Sequence, residues 1–433
     1  DRFDYRVRQA CIYCHAGLMA FDDPDSDQFS KAPFPEESIG CERCHGPGRE
    51  HVERQRRDPR GGDDDSVVNP AKLSADRREA VCYQCHLRRE QTFLRAGKSL
   101  FDYHAGMRFD DVAVTFVPRD QSPGNVATLV EQHRSSACFR MSEGRFGCTS
   151  CHDPHFRPAD ADLGKYYRAK CLECHADRGC SLPEVQRRES PSGDSCIACH
   201  MPPSPTKGIP HTALTDHRLL RDPRRLPPPN SPPPNDLRRL VVFGDSDKHL
   251  PAEEIERARG LLAASLAAQT GQPELARAAE AAWNRDRLPP MQLIAKYQDD
   301  PAVLLDLGLV YAMGGMLREA LAAWEAGVAA SPTNELILAR LTTFHARMGS
   351  AGEGLPWAER LIEVNPHVAE YRWIHSTLLD KAGRRDEAIK AAEAALERDP
   401  TAKVIRTWLV EAYRDKGRAA DAEKQEKLLK RMQ

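Results

Sequence analysis

The 433-residue sequence predicts two fold classes in series. Residues 1–220 are expected to form a largely irregular, short-helical domain, and residues 251–433 an all-α solenoid of paired helices, with a Pro-rich linker over 221–250. Three observations predict this: six C-x-x-C-H motifs crowd the first half, the run Leu226-Pro-Pro-Pro-Asn230-Ser-Pro-Pro-Pro-Asn235 interrupts the chain, and a 34-residue period follows it.

The motifs are Cys11-Ile-Tyr-Cys14-His15, Cys41-Glu-Arg-Cys44-His45, Cys82-Tyr-Gln-Cys85-His86, Cys148-Thr-Ser-Cys151-His152, Cys171-Leu-Glu-Cys174-His175 and Cys196-Ile-Ala-Cys199-His200. C-x-x-C-H is the attachment signature of c-type haem. Two thiols one helical turn apart point the same way and can both bond the vinyl groups of one porphyrin edge, while the next residue brings its imidazole to the iron. Six covalent haems are predicted, with His15, His45, His86, His152, His175 and His200 as proximal ligands. Zinc is the competing reading, because paired C-x-x-C units also build sites with four Cys or with two Cys and two His. Zinc, however, does not require a His directly after every second Cys, and here one follows in all six motifs.

Residues 1–220 show little helical or strand periodicity, and Gly, Pro, Asp and Arg are scattered through them. Short helices at the motifs, long loops and a core made mostly of haem are expected. This segment holds six further histidines, His51, His104, His133, His155, His211 and His217, matching the six distal positions that bis-His coordination needs. Met107 and Met141 are the alternative axial ligands. His155 follows His152 by three residues, a length of chain that spans at most roughly 10 Å. It cannot reach around a porphyrin to the far side of its own iron, so it is expected to ligate a neighbouring haem.

The motifs use 12 of the 14 cysteines, leaving Cys138 and Cys180, which are expected to pair in an oxidising compartment. Covalent haem is attached after export, so a periplasmic, cell-surface or extracellular location is predicted. The polar start Asp1-Arg-Phe-Asp-Tyr-Arg shows no signal peptide and is read as the beginning of a mature or trimmed chain. No apolar run is long enough to span a bilayer, so membrane attachment would come through a partner or a further segment. The formal net charge of -2 argues against electrostatic binding to nucleic acid. Arg54-Gln-Arg-Arg57 is read as solvated loop or a haem-propionate contact.

Proline at the density found in 221–236 favours extended polyproline II. Beyond it Pro332, Pro366 and Pro400 recur every 34 residues, as do Gly315, Gly349, Gly383 and Gly417. The unit from Pro301 carries Leu304, Leu307, Gly308, Tyr311, Ala320, Trp324, Gly327 and Pro332, which is the tetratricopeptide pattern. Matching units begin near Glu335, Ala369 and Lys403. A weaker unit from about Glu256 has Gly271 in its turn and Ala276 in its second helix, followed by an insertion through Leu288-Pro-Pro290. Such a solenoid offers a concave surface to a partner, or acts as a spacer or assembly platform. His345, His367 and His375 read as ordinary repeat residues.

Cys41-Glu-Arg-Cys44-His45-Gly-Pro-Gly, Val81-Cys82-Tyr-Gln-Cys85-His86-Leu, Ser136-Ala-Cys138-Phe, Cys148-Thr-Ser-Cys151-His152-Asp-Pro-His155 and Cys199-His200-Met-Pro, with Pro210-His211-Thr-Ala-Leu-Thr-Asp-His217-Arg, carry a family resemblance. The chain resembles multihaem c-type cytochromes of environmental bacteria that are fused to tetratricopeptide repeats. That group is similar in turn to the cytochrome nitrite reductases, the hydroxylamine-oxidising enzymes and the filament-forming cytochromes. The resemblance implies a further segment upstream of Asp1. No C-x-x-C-K, the motif of a nitrite reductase active-site haem, is found, so specific enzymology is not carried over.

Three functions follow. The first, adopted here, is electron transfer through six closely packed, mostly bis-His haems, with the repeats docking redox partners or neighbouring subunits and no enzymatic site. In the second, one five-coordinate haem acts on a small nitrogen or sulfur compound, with His104, followed by Ala-Gly-Met107, as the non-ligand. The third is a polymeric form of the first, an extracellular filament.

Overall fold

The computed structural model describes residues 7–17, 19, 26, 29, 34–59, 64–87, 91–122, 126, 128–176, 180–190, 192–204, 214–222 and 236–432. The chain divides into two compact units, one of Asp1–Met19 with Phe34–Ala258 and one of Ala20–Pro33 with Arg259–Gln433.

In the first unit the helices are short and end on the motifs. Gln9–His15, Glu42–His45, Ala75–His86, Leu163–His175 and Cys196–His200 each stop at the motif histidine. A basic residue suits a helix C-terminus, and residues three apart share a helical face, so both thiols and the imidazole come off one end of each helix. The fourth motif forms a single 3-10 turn, Cys148–Ser150, anchored where the buried Glu79 carboxylate accepts the Cys148 N–H at 3.0 Å. Arg54–Arg57 lie in the helix Arg49–Arg57 rather than in a loop.

Beside the motifs this unit also has an all-protein core. Strand Ala113–Pro118 pairs antiparallel with Thr92–Leu94 on one side and Leu240–Val242 on the other, with Phe93 opposite Val114 and Val117 opposite Val241. Around it pack Ala80, Tyr83, Leu87, Tyr103, Phe109, Val130 and Phe243. Every residue of Ala113–Pro118 is buried, so the strand lacks the alternation that would mark it in sequence. Of the 221–250 stretch, 223–235 lie outside the described residues, and 236–250 belong to the first unit, where Leu240–Val242 closes the sheet.

The second unit is a helical repeat. Pro301–Met313 pairs with Leu317–Ala330, Glu335–Met348 with Ala351–Val364, Ala369–Lys381 with Arg385–Arg398, and Lys403–Asp415 with Ala419–Arg431. The turn glycines Gly315, Gly349, Gly383 and Gly417 have φ of 76°, 75°, 77° and 72°, a left-handed conformation that excludes most side chains. Glycines at the helix crossings answer a different need: a Cβ on Gly308 would fall 2.3 Å from Trp324 Nε1, and one on Gly260 would fall 2.1 Å from Trp283 Nε1. Gly271 turns the weaker first repeat, Pro273–Trp283 follows, and Pro290–Lys296 forms a short added helix. His345 is buried, with Nδ1 2.9 Å from Ser350 Oγ, as an ordinary repeat residue.

Candidate functional site

The residues between the cysteines of the first three motifs interlock. Tyr13, fully buried, donates its hydroxyl to Gln84 Oε1 at 2.8 Å. Gln84 Nε2 donates to the carbonyls of Arg43 at 3.3 Å and Val81 at 2.9 Å. The Arg43 guanidinium lies 4.5 Å from the centre of the Tyr13 ring and donates to the Gly17 carbonyl at 2.6 Å. Buried polar groups persist when paired, and this pairing holds three attachment helices in one arrangement.

From the second motif onward, thiols of successive motifs are neighbours. Cys44 and Cys82, and Cys82 and Cys148, are close enough to interact electrostatically. Cys171 is in turn close enough to Cys151 and to Cys196 to interact electrostatically with both. Cys11, Cys41, Cys174 and Cys199 are exposed, and Cys14 and Cys85 are half-buried. Cys138 sits against Cys151, Cys171 and Cys174, whereas Cys180 is exposed beside Arg187. Both are free thiols, so the expected Cys138–Cys180 disulfide is not formed. Helix Ala137–Met141 turns Cys138 toward the fourth and fifth motifs, a placement that sequence separation does not reveal.

The imidazoles are oriented by their second nitrogen. Nδ1 lies 2.7 Å from the Val68 carbonyl in His45, 2.8 Å from the Leu220 carbonyl in His200, 2.7 Å from the Thr215 carbonyl in His217 and 2.8 Å from Asp64 Oδ2 in His51. An oxygen acceptor requires Nδ1 to carry the proton, which leaves the Nε2 lone pair for a metal. His152 Nδ1 is 3.2 Å from the Tyr167 hydroxyl.

Two motif histidines face histidines from elsewhere in the chain. His45 and His155 have ring centres 5.9 Å apart with planes inclined by 19°, and His152 and His217 are 6.2 Å apart at 26°. His155 is thus brought to the second motif and not to its own. His217 is delivered by a hairpin in which Pro203–Ser204 pairs with Leu214–Thr215. Its N–H donates to Gln132 Oε1 at 3.0 Å, and the buried Asp216–Arg218 ion pair beside it has a 2.5 Å contact.

His133 is buried between Phe139 and Phe146, whose ring centres lie 5.2 and 5.1 Å away, and among the described residues neither ring nitrogen has a hydrogen-bond partner. Burial pushes its pKa down to about 4. A neutral imidazole with orphaned nitrogens fits a metal ligand. His86 lies near His217, while His15, His104 and His175 are exposed and His211 lies outside the described residues. Met141 is 79% exposed, and Met107 Sδ accepts the His104 N–H at 3.3 Å. Beside His152 a cleft of about 280 Å³ is lined by the aromatic Phe156, Tyr166 and Tyr167 together with Leu163 and the charged Asp153 and Arg157. Tyr13, Arg43, Gln84, Glu79 and Asp64 were not singled out from the sequence; the first three carried one signal, a place between motif cysteines. Among the described residues no helix is long and apolar enough to cross a membrane.

Residues 141–179, the fourth and fifth motifs, match the doubled CXXCH motif family. Motifs and repeats together define a multihaem c-type cytochrome, carrying covalent haem, fused to a tetratricopeptide-type helical repeat. The chain is 24% identical over 185 residues to the multiheme cytochrome MtrA of Shewanella baltica (strain OS185), a match over 39% of this chain and 53% of that protein. It thus spans about half the length of that relative. Among solved structures it is similar to MamA of AMB-1, at 22% identity and a TM-score of 0.34 over 42% of this chain and 91% of that one. MamA from Desulfovibrio magneticus RS-1 is 15% identical with a TM-score of 0.35, over 42% and 97%.

Proposed function

We propose that this chain conducts electrons through six covalently held haems, most with two histidine ligands, in a protein working in the periplasm or at the cell surface. The haem-bearing part is taken as residues 1–220 and the repeat part, 251–433, as a surface for protein contacts. Bound haem supplies reversible one-electron chemistry; the chain sets spacing, ligation and exposure. The observation that carries this reading is the unbroken adjacency of thiols from the second motif to the sixth, with Tyr13, Arg43 and Gln84 joining the first. Attachment points this close favour short gaps between successive cofactors.

The ring pairs support a ligand assignment. Imidazoles on opposite faces of one iron have centres about 6 Å apart, from metal–nitrogen bonds of about 2 Å and about 1 Å more to each ring centre. In this reading His155 is the second ligand of the iron anchored by His45, and His217 of the iron anchored by His152. His51, His104, His133 and His211 remain as candidates for the other irons. The test is low-temperature EPR with near-infrared magnetic circular dichroism on the oxidised protein. All irons should be low-spin, and His155→Ala should make one high-spin. In a chain lacking the Cys41 and Cys44 attachment site, His155→Ala should change no remaining iron. A high-spin iron in the unaltered protein would overturn the conduit reading, and an unchanged His155→Ala spectrum would overturn the ligand assignment.

A further inference from the structure

Among the described histidines of the first unit with a hydrogen-bonded Nδ1, His51 differs in its acceptor. His45, His200 and His217 face backbone carbonyls and His152 faces a hydroxyl, and His155 Nδ1 is 3.7 Å from Asp153 Oδ1, beyond hydrogen-bond distance, whereas His51 Nδ1 lies 2.8 Å from the carboxylate of Asp64. The carboxylate is itself held in place. Ser66 donates through its backbone N–H at 2.9 Å and through its hydroxyl to Oδ1, and Gln55 Nε2 donates to Oδ2 at 3.4 Å. Among the described residues Arg54 Nη1, 3.3 Å from Oδ1, is the one cation in contact, and its side chain is 46% exposed against 11% for Asp64, so solvent screens it more. His51 sits in the first turn of helix Arg49–Arg57, which limits how far its ring can turn from Asp64.

We propose that Asp64 is a positioning residue that sets the iron ligated by His51 at a lower reduction potential than an iron whose histidines face backbone carbonyls. A carboxylate hydrogen-bonded to the far nitrogen of a ligating imidazole raises that ligand's basicity and adds a negative charge, and both favour the ferric state. Neither axial side of the His45 iron is open to His51 if His155 occupies it, so a different iron is affected. The inference rests on the reading of His51 as an iron ligand, and the experiment separates the two. Asp64→Asn keeps a side-chain oxygen able to accept from Nδ1 but removes the charge.

Spectroelectrochemical titration of the intact haem-loaded chain should show one midpoint moving upward in Asp64→Asn. The expected change is on the order of tenfold in the reduction equilibrium, about 59 mV for one electron, with the other midpoints in place and every iron still low-spin by EPR. His51→Ala, measured alongside, should convert one iron to high-spin. If His51→Ala leaves all irons low-spin, the ligand reading fails. If His51→Ala converts an iron but Asp64→Asn moves no midpoint, the role of Asp64 fails.

Discussion

Replacing Gln84 with Leu tests whether the interlock of the first three motifs is an energetic unit. The side chain is 1% exposed, and Leu fills most of its volume, so the change removes polar partners while creating little cavity. Lost are the acceptor for the Tyr13 hydroxyl at 2.8 Å, the donor to the Arg43 carbonyl at 3.3 Å and the donor to the Val81 carbonyl of its own helix at 2.9 Å. A neutral hydrogen bond contributes about 1 kcal/mol net, and a buried group deprived of its partner costs about 1–3 kcal/mol. The first contact is short and fully buried and the second is long, so the expected loss is about 2–3 kcal/mol. Against a typical domain stability of about 5–15 kcal/mol, that lowers the urea midpoint visibly without changing the slope. The assay is urea unfolding of the haem-loaded protein followed by far-ultraviolet circular dichroism, for Gln84→Leu, Tyr13→Phe and the double variant. The two single losses should overlap, with a coupling energy of about 1 kcal/mol. Additive losses, or a Gln84→Leu change under about 0.5 kcal/mol, would refute the reasoning.

Two further outcomes follow from the repeat unit. Gly308→Ala should destabilise it by about 1–3 kcal/mol, because the new methyl collides with Trp324 and strains the Trp324 Nε1 bond to the Leu305 carbonyl, outweighing the gain in helix propensity. Gly352→Ala, where a Cβ meets nothing within 4 Å, is the control and should be neutral or stabilising in the same unfolding experiment. Asp306 is pushed up to about 7 by burial, with Arg340 pulling the other way. The folded state therefore holds this proton where the unfolded state has lost it, so stability should fall as pH rises from about 4 to about 7. Asp306→Asn should remove about 1–3 kcal/mol of that dependence; an unaltered pH profile of the urea midpoint would count against it.

Legibility followed the range of the interaction. Cys196 to His200 spans one helical turn, so its chemistry is written in five consecutive letters, and the helix found there ends on the expected histidine. The strand Ala113–Pro118 was illegible because both of its faces are covered, which erases the alternation that marks a half-exposed strand. The Cys138–Cys180 pairing was inferred by elimination, and elimination says nothing of distance: the fold carries Cys138 to the motif thiols instead.

By itself the sequence determined where haem is attached and how the repeats turn. Both depend on residues a few positions apart, such as two thiols on one helical face or a glycine at φ near 75° in a tight turn. Only the tertiary structure decided which histidines meet. His45 and His155 are 110 residues apart, and no local pattern encodes that encounter. Such encounters come with the packing of whole elements: the Gln84 interlock, the Glu79 anchor on the fourth motif and, for His152 and His217, the hairpin that delivers His217. Contacts of this kind are selected by the free energy of the assembled core, to which each residue contributes only through partners far away in the chain.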